Sequence, residues 1–347
     1  MTPTQSSSGD TPNPTETLLV TGGSGFLASH VVRELLRQGY SVLVTVRSEA
    51  MAKKVLQAHA QYSNRLSFIL VPDMTVPGAY DAAVQGVTGV FHISSPCTFT
   101  SPDNVNDLLI PAVSGTRGIL ESIKKHGPYV KRVVLTSSAG AIVDPIVGFD
   151  RIHPYTEGDW TKVTWDEAAN GSGNLGYIGS KQFAEKTAWD FIQNEKPSFD
   201  LVTICPTFII GPIIIPTQNM RANPSFISLY KLLDGKLDNL GKVLLPAYVD
   251  VRDSAKAHVR AYEEANASNQ RYLISSGSLN LQQVADIMKK HFHSLVGRLP
   301  VGRTEERGVL IMDSSKAVRD LGFAPRGPDE TVVDTVRRLL EIEATGY

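Results

Sequence analysis

Short apolar runs rich in β-branched residues alternate along the chain with longer stretches in which apolar positions recur every three or four residues. The first pattern is that of buried strands and the second that of amphipathic helices. Leu18–Val20, Ser41–Val46, Leu66–Val71, Val87–Ile93, Val130–Leu135 and Asp200–Cys205 read as six strands. Helical periodicity falls on Phe26–Gln38, where Val31, Val32, Leu35 and Leu36 share a face, on Asn104–His126 and on Tyr177–Gln193. Gly39 stops the first helix and Gly127-Pro128 the second. Gly115 and Gly118, inside the second, predict close packing against a neighbour. Strands alternating with helices predict an α/β chain built on a doubly wound parallel sheet.

From Pro206 the pattern loosens. Pro206, Gly211, Pro212, Pro216 and Pro224 interrupt it, and a short helix is predicted over Phe226–Asp234. Ala247–Asp253 and the helix after it read as a return to the sheet. Gln270–Ile274 reads as a strand, and Asn280–His291 and Thr331–Glu343 as amphipathic helices. The irregular segments predict a smaller lobe over the carboxyl edge of the sheet.

Composition narrows the partners. The 347 residues carry 34 basic and 35 acidic side chains, a net charge of -1 without a long basic run, which argues against nucleic acid and anionic membrane. The longest apolar region, Leu201–Ile215, is broken by Pro206, Gly211 and Pro212 and is too short to span a bilayer. Residues 1–16 lack Lys, Arg and an apolar core, so they read as a disordered tail and not as a secretory signal. Two cysteines, Cys97 and Cys205, build no disulfide framework and suit a reducing compartment, so a cytoplasmic protein is expected. Monomer and homodimer both remain open.

The first strand runs into Thr21-Gly22-Gly23-Ser24-Gly25-Phe26-Leu27-Ala28, and a helix starts at once. Gly22 can take the positive φ of a sharp turn, Gly25 clears space for a diphosphate, and Ala28 lets the helix pack closely on the sheet. Free N–H groups at a helix start attract anions, which makes Gly22, Gly25, Phe26 and Leu27 candidate dinucleotide contacts. At the end of the second strand an acidic residue would bind the ribose hydroxyls of NAD; here Arg47-Ser48 stand instead. A guanidinium suits a 2′-phosphate, with Lys53 or Lys54 as helpers, so NADP(H) is the expected cofactor. Asp73 follows the third strand, where it can meet the adenine amino group or serve only as a turn residue. Cys97, in a small-residue loop after the fourth strand, reads as a packing residue.

The candidate chemistry lies in Tyr177-Ile178-Gly179-Ser180-Lys181. Residues four apart share a helix face. An ammonium beside a phenol favours its phenolate and pulls the pKa down toward working pH. Tyr177 alone among the eleven tyrosines has a Lys at the fourth position after it. The fifth strand ends in Thr136-Ser137-Ser138, and ligands bind beyond the carboxyl ends of such strands, so Ser138 can hold a carbonyl oxygen in the same region. Neither His291-Phe292-His293 nor any other spacing suggests a metal site, and no metal is expected. A Gly-x-Ser-x-Gly elbow is absent, against a serine hydrolase.

These motifs resemble the extended short-chain dehydrogenase/reductase superfamily. The match is to its branch of NADPH-dependent aldehyde and ketone reductases of the yeast methylglyoxal reductase type, near dihydroflavonol and cinnamoyl-CoA reductases. Val46-Arg47-Ser48, Asp107–Val113, Val133–Ser138, Val249–Asp253 and Asp313–Lys316 leading to Leu321-Gly322-Phe323 carry the likeness from residue 17 onward. The resemblance implies a Rossmann-type sheet over residues 17–205 and about 247–269, with a mixed α/β substrate lobe over 206–246 and 270–347. It implies Tyr177 as proton donor, Lys181 as its tuner and ribose ligand, Ser138 as carbonyl anchor, Ser137 as a packing neighbour, Arg47 as the 2′-phosphate ligand and Thr207 beside the nicotinamide amide. The branch's phosphate lysine falls at Met51. Phe99, Tyr155 and Phe208 are expected either as walls of a pocket for a small carbonyl substrate or as core. A nucleotide-sugar epimerase or dehydratase, or a non-catalytic NADP sensor, is the rival expectation on the same scaffold.

Overall fold

Seven strands pair in parallel in the computed structural model, which describes residues 16–99, 101–147, 153–172, 174–217, 220–235, 247–300 and 310–345. They are β1 (Thr17–Val20), β2 (Ser41–Val46), β3 (Leu66–Leu70), β4 (Gly89–His92), β5 (Arg132–Thr136), β6 (Asp200–Pro206) and, after β7 (Phe208–Ile210) and β8 (Tyr248–Asp250), β9 (Arg271–Ile274). Their order is β3-β2-β1-β4-β5-β6-β9. The strand order reverses at β1 and β4, and a crevice at the carboxyl ends of such a pair is where doubly wound sheets hold ligands.

The pleat of each strand sorts its side chains to the two faces. Leu18 and Val20 join one apolar cluster with Val31, Val32, Leu35 and Leu36 of helix α1 (Phe26–Gln38) and Val251, Ala255 and Val259 of α7 (Val251–Glu263). Leu19, one residue out of phase, joins the opposite cluster with Ile119, Leu120 and Ile123 of α3 (Ile110–His126) and Ala188 and Phe191 of α5 (Leu175–Glu195). Each fully buried Leu or Val contributes roughly 1.5–3 kcal/mol of transfer free energy, so a one-residue slip of β1 would be costly. The remaining helices are α2 (Glu49–Ala58), α4 (Trp165–Asn170), α6 (Ile227–Leu233), α8 (Leu281–His291), α9 (Ser315–Leu321) and α10 (Pro328–Ala344). A separate apolar cluster joins α6, α8 and α10 through Leu229, Leu232, Val284, Met288, Val336 and Leu339.

Several expectations change. Tyr248–Asp250 does not return to the large sheet: β8 pairs in parallel with β7, Tyr248 opposite Phe208, and only α7 goes back, to lie against α1. Arg271–Ile274, grouped by sequence with the substrate lobe, is instead the edge strand of the large sheet beside β6. The long helix expected from Asn104 begins with a π-type turn over Val105–Leu109 before α3. Pro111, which lacks an N–H, explains the slip in the hydrogen-bond ladder there. A Cβ on Gly115 would strike the Met74 terminal methyl at 2.2 Å, whereas one on Gly118 would meet nothing within 4 Å, so only Gly115 marks a close approach. Of the tail expected over 1–16, residues 1–15 lie outside the described residues; the Glu16 carbonyl accepts from the Ser41 N–H at 3.1 Å, so that residue is tied to β2. Among the described residues no helix is long and apolar enough to cross a membrane.

Candidate active site

At the reversal of the sheet, Thr21 clamps two strand ends. Its Oγ1 accepts from the N–H groups of Ile93 and Ser94, both at 3.0 Å, and from the Ser94 hydroxyl at 2.9 Å. Gly22 turns the chain with φ +68°, and its N–H donates to Thr45 Oγ1 at 3.0 Å. Gly23 was not singled out in the sequence, yet a Cβ there would lie 2.6 Å from Val44 Cβ, so the turn closes onto β2 only because this side chain is absent. The signal was present as a second consecutive glycine. Gly25 starts α1 without a side-chain cap. Among the described residues no side chain accepts from the first-turn N–H groups of Phe26 and Leu27, which is the donor set an anion needs at a helix N-terminus.

Arg47 stands exposed at the end of β2 and forms no salt bridge among the described residues. Ser48 caps α2, its Oγ accepting from Met51 N at 3.4 Å. Lys53 is exposed, Lys54 half-buried, and Met51 packs on the core. Asp73 lies at the same edge, within the field of Arg47. Its carboxylate accepts from Thr75 N at 2.8 Å and Thr75 Oγ1 at 2.7 Å, and these bonds hold its pKa below the usual range. The turn role foreseen for Asp73 is thus present. Thr207, 5% exposed, uses both its N–H and its hydroxyl on the Ile274 carbonyl, at 3.0 and 3.3 Å, which ties the link between β6 and β7 to β9.

The structure brings Ser138, Tyr177 and Lys181 together. Ser138 follows β5, and its Oγ accepts from the Gly140 N–H at 3.0 Å. Tyr177, in the first turn of α5, lies with its hydroxyl 3.4 Å from that Oγ. Lys181, one turn on and 6% exposed, has its Nζ 5.8 Å from the centre of the Tyr177 ring. Close packing fixes this helix: a Cβ on Gly176 would meet the Asn104 side chain at 2.5 Å, and one on Gly179 would meet Ala168 Cβ at 2.3 Å. Phe99 packs edge-to-face on Tyr177, centroids 5.1 Å apart, as a wall residue would. Tyr155 and Phe208 do not share that place. Tyr155 is 1% exposed in a cluster with Ile142 and Leu273, and Phe208 packs against the cluster of α6, α8 and α10. Ser137 does more than pack: its hydroxyl donates to Glu185 Oε2 at 2.6 Å.

The electrostatics differ from the sequence expectation. Burial, with Cys97 as a lesser cause, pushes the Tyr177 hydroxyl above its ordinary pKa, and the Ser138 hydrogen bond opposes this. Burial also lowers Lys181, with Cys97 opposing. The downward pull expected from Lys181 is not among the causes that set the Tyr177 pKa; the loss of water, which penalises the phenolate, dominates. Cys97 is exposed and lies within the field of Lys181, so it faces the site instead of filling a core. Its basic neighbour arrives from a distant part of the chain, which local spacing does not reveal.

Known proteins resemble this chain in sequence and in fold. The profile of the NAD dependent epimerase/dehydratase family matches residues 18–275. A ketoreductase of Aspergillus niger is 38% identical over 336 residues, covering 93% of this chain and 97% of its own length. An NADPH-dependent methylglyoxal reductase of Saccharomyces cerevisiae is 34% identical over 339 residues, covering 94% and 98%. The crystal structure of a yeast methylglyoxal/isovaleraldehyde reductase complexed with NADPH superposes with a TM-score of 0.87 at 34% identity, over 94% of this chain and 99% of that one.

Proposed function

The chain belongs to the NAD dependent epimerase/dehydratase family, and we propose that it acts there as an NADPH-dependent reductase of small aldehydes or ketones. The observation that carries the reading is the convergence of Ser138, from the carboxyl end of β5, with Tyr177 and Lys181 of α5, on a sheet whose first strand runs into the glycine turn. The turn fits a dinucleotide: Gly22 and Gly25 leave room, the first-turn N–H groups at Phe26 and Leu27 have no side-chain acceptor among the described residues, and the exposed Arg47 guanidinium suits a 2′-phosphate. Asp73 would lie near the adenine and Thr207 near the nicotinamide. NADPH, when bound, supplies the hydride that reduces the carbonyl carbon.

The chain's own groups do the rest. Ser138 and Tyr177 hold the carbonyl oxygen from two sides. Tyr177, kept protonated by burial, gives its proton to that oxygen as negative charge develops. Lys181 favours the phenolate left behind and holds the nicotinamide ribose. The irregular segments after Pro206 would shape the substrate end, and the two free cysteines suit the cytoplasm.

NADPH oxidation followed with a panel of carbonyl compounds, methylglyoxal and isovaleraldehyde first because relatives carry those names, tests the reading. Oxidation that depends on the carbonyl, with the alcohol recovered in equal amount, is the expected result. Turnover of a nucleotide sugar without net NADPH oxidation would instead make the protein an epimerase.

A further inference from the structure

Beneath the site lies a buried carboxylate that the proposed reaction does not touch. Glu185 is 1% exposed and sits on α5 one turn beyond Lys181. Its Oε1 accepts from Thr203 Oγ1 at 2.7 Å, Arg271 Nε at 2.8 Å and Trp189 Nε1 at 3.3 Å. Its Oε2 accepts from Ser137 Oγ at 2.6 Å and from an Arg271 terminal nitrogen at 3.0 Å. One carboxylate thus fastens α5 to the residue after β5, the middle of β6 and the start of β9. Arg271, 8% exposed, carries the connection onward. Its Nη1 donates to the carbonyls of Glu157 and Asp159, its Nη2, already on Glu185, also reaches the Ala141 carbonyl at 3.5 Å, and its guanidinium lies 3.7 Å from the centre of the Trp160 ring. Ala141 closes the short turn that Ser138 opens.

A buried ion pair is a poor device for stability, because the desolvation of both charges offsets most of their attraction. An apolar pair would fill the space at less cost. What this pair supplies is direction: a bidentate fork fixes distance and angle together. We propose that Glu185 is a positioning residue, which with Arg271 sets the separation of Ser138 from Tyr177 and Lys181. The proposal rests on the reductase reading of those three residues. Ser137 transmits the constraint directly, since it precedes Ser138 in the chain and its hydroxyl is held by the carboxylate.

Two variants test it in the full-length protein. Glu185→Gln removes the charge, and Ser137→Ala removes a single link and leaves the ion pair in place. Folded sites are counted by NADPH titration, and kcat is expressed per site. Misplacement of a reacting group by about 1 Å can lower a rate by about 100-fold. Glu185→Gln is expected to lose about 10- to 100-fold in kcat per site and Ser137→Ala about 3- to 10-fold, each with NADPH affinity within about twofold of the unaltered protein. The Ser138 hydrogen bond lowers the Tyr177 pKa, so both variants should also move the alkaline limb of the rate profile upward. A lower Tm and fewer sites, with kcat per site and pH profile unchanged, would overturn the proposal and leave the reductase reading intact. Absence of carbonyl-dependent turnover in the unaltered protein would overturn both.

Discussion

Ser138 Oγ and Tyr177 Oη face each other at 3.4 Å, one from the end of β5 and the other from the first turn of α5. That separation is longer than a good O–H···O bond, which spans about 2.7–2.8 Å, so neither hydroxyl is fully engaged by the other. A carbonyl oxygen placed between them gains two donors. In the proposed reaction the phenol then surrenders its proton to form the alcohol. Tyr177→Phe keeps the ring that packs on Phe99 and removes the hydroxyl that carries that proton. Carbonyl-dependent NADPH oxidation should fall by about 100- to 10,000-fold while NADPH binding, read by fluorescence titration, is retained. Retained turnover would take Tyr177 out of the chemistry.

Arg47 offers the second test. Its guanidinium is exposed and forms no salt bridge among the described residues, so its replacement disturbs little in the fold. Hydrogen bonds to a charged group contribute about 1.5–3 kcal/mol. Arg47→Asp should therefore weaken NADPH by at least about 10-fold and leave NADH within a few-fold, since NADH lacks the phosphate. Equal losses for both cofactors, measured by titration, would remove the phosphate clamp.

Lys181 Nζ lies 5.8 Å from the centre of the Tyr177 ring, and the proposed reaction needs it to favour the phenolate against a burial effect of opposite sign. A cation lowers a phenol's pKa, so its deletion raises it. Lys181→Ala should shift the alkaline limb of kcat to higher pH and, by removing the proposed ribose ligand, weaken NADPH binding. An unchanged profile would leave Lys181 only a structural part.

The sheet was legible because its signal is local. β1 and β2 start within a residue of their expected positions and α1 coincides with them, since Val31, Val32, Leu35 and Leu36 and the stop at Gly39 lie within one helix length. The three catalytic candidates were legible for the same reason, each marked by a motif of a few residues. What stayed hidden depends on contacts between distant segments. The pairing of β8 with β7 is decided across a gap of chain, and nothing within Ala247–Asp253 distinguishes that partner from the large sheet. Glu185 reads as one more helical carboxylate until Ser137, Thr203 and Arg271 converge on it from three strands. The Tyr177 pKa was misjudged because spacing shows Lys181 and does not show the removal of water.

Buried histidines set the acid limit of stability. Burial lowers His30 to about 4, His59 to about 4, His92 to about 3 and His258 to about 4. An unfolded histidine takes up a proton near pH ~6.5. Between that pH and about 4 the unfolded chain binds more protons than the folded one, so stability is full above this window and falls as the pH drops through it. The loss approaches about 1.4 kcal/mol per pH unit for each such histidine. Tm should fall steeply from pH 7 to pH 5. His258→Gln, which keeps polar atoms near Thr136 and Ser254, should flatten the slope by about one proton. A Tm independent of pH over this range would show that these side chains titrate normally.

Gly23 is the position where the turn and β2 come closest. A methyl group there would stand 2.6 Å from Val44 Cβ and 2.8 Å from one of its methyls, and Val44 is fully buried. A β-branched side chain in a strand has little rotamer freedom to move aside. Overpacking of a tight site costs typically about 1–3 kcal/mol, so Gly23→Ala should destabilise the protein by that amount. The turn must also shift, because the Gly23 N–H is bonded to the Thr45 carbonyl at 3.0 Å, and the donors of Phe26 and Leu27 shift with it. NADPH affinity should then fall together with stability. Val44→Ala alone should cost about 1–2 kcal/mol by leaving a small cavity. If the clash is the cause, Val44→Ala removes it, and the double variant should lose at least about 1 kcal/mol less than the sum of the single losses. Urea unfolding of the four proteins measures this coupling. Strict additivity would mean that Gly23 is required for something other than its approach to Val44.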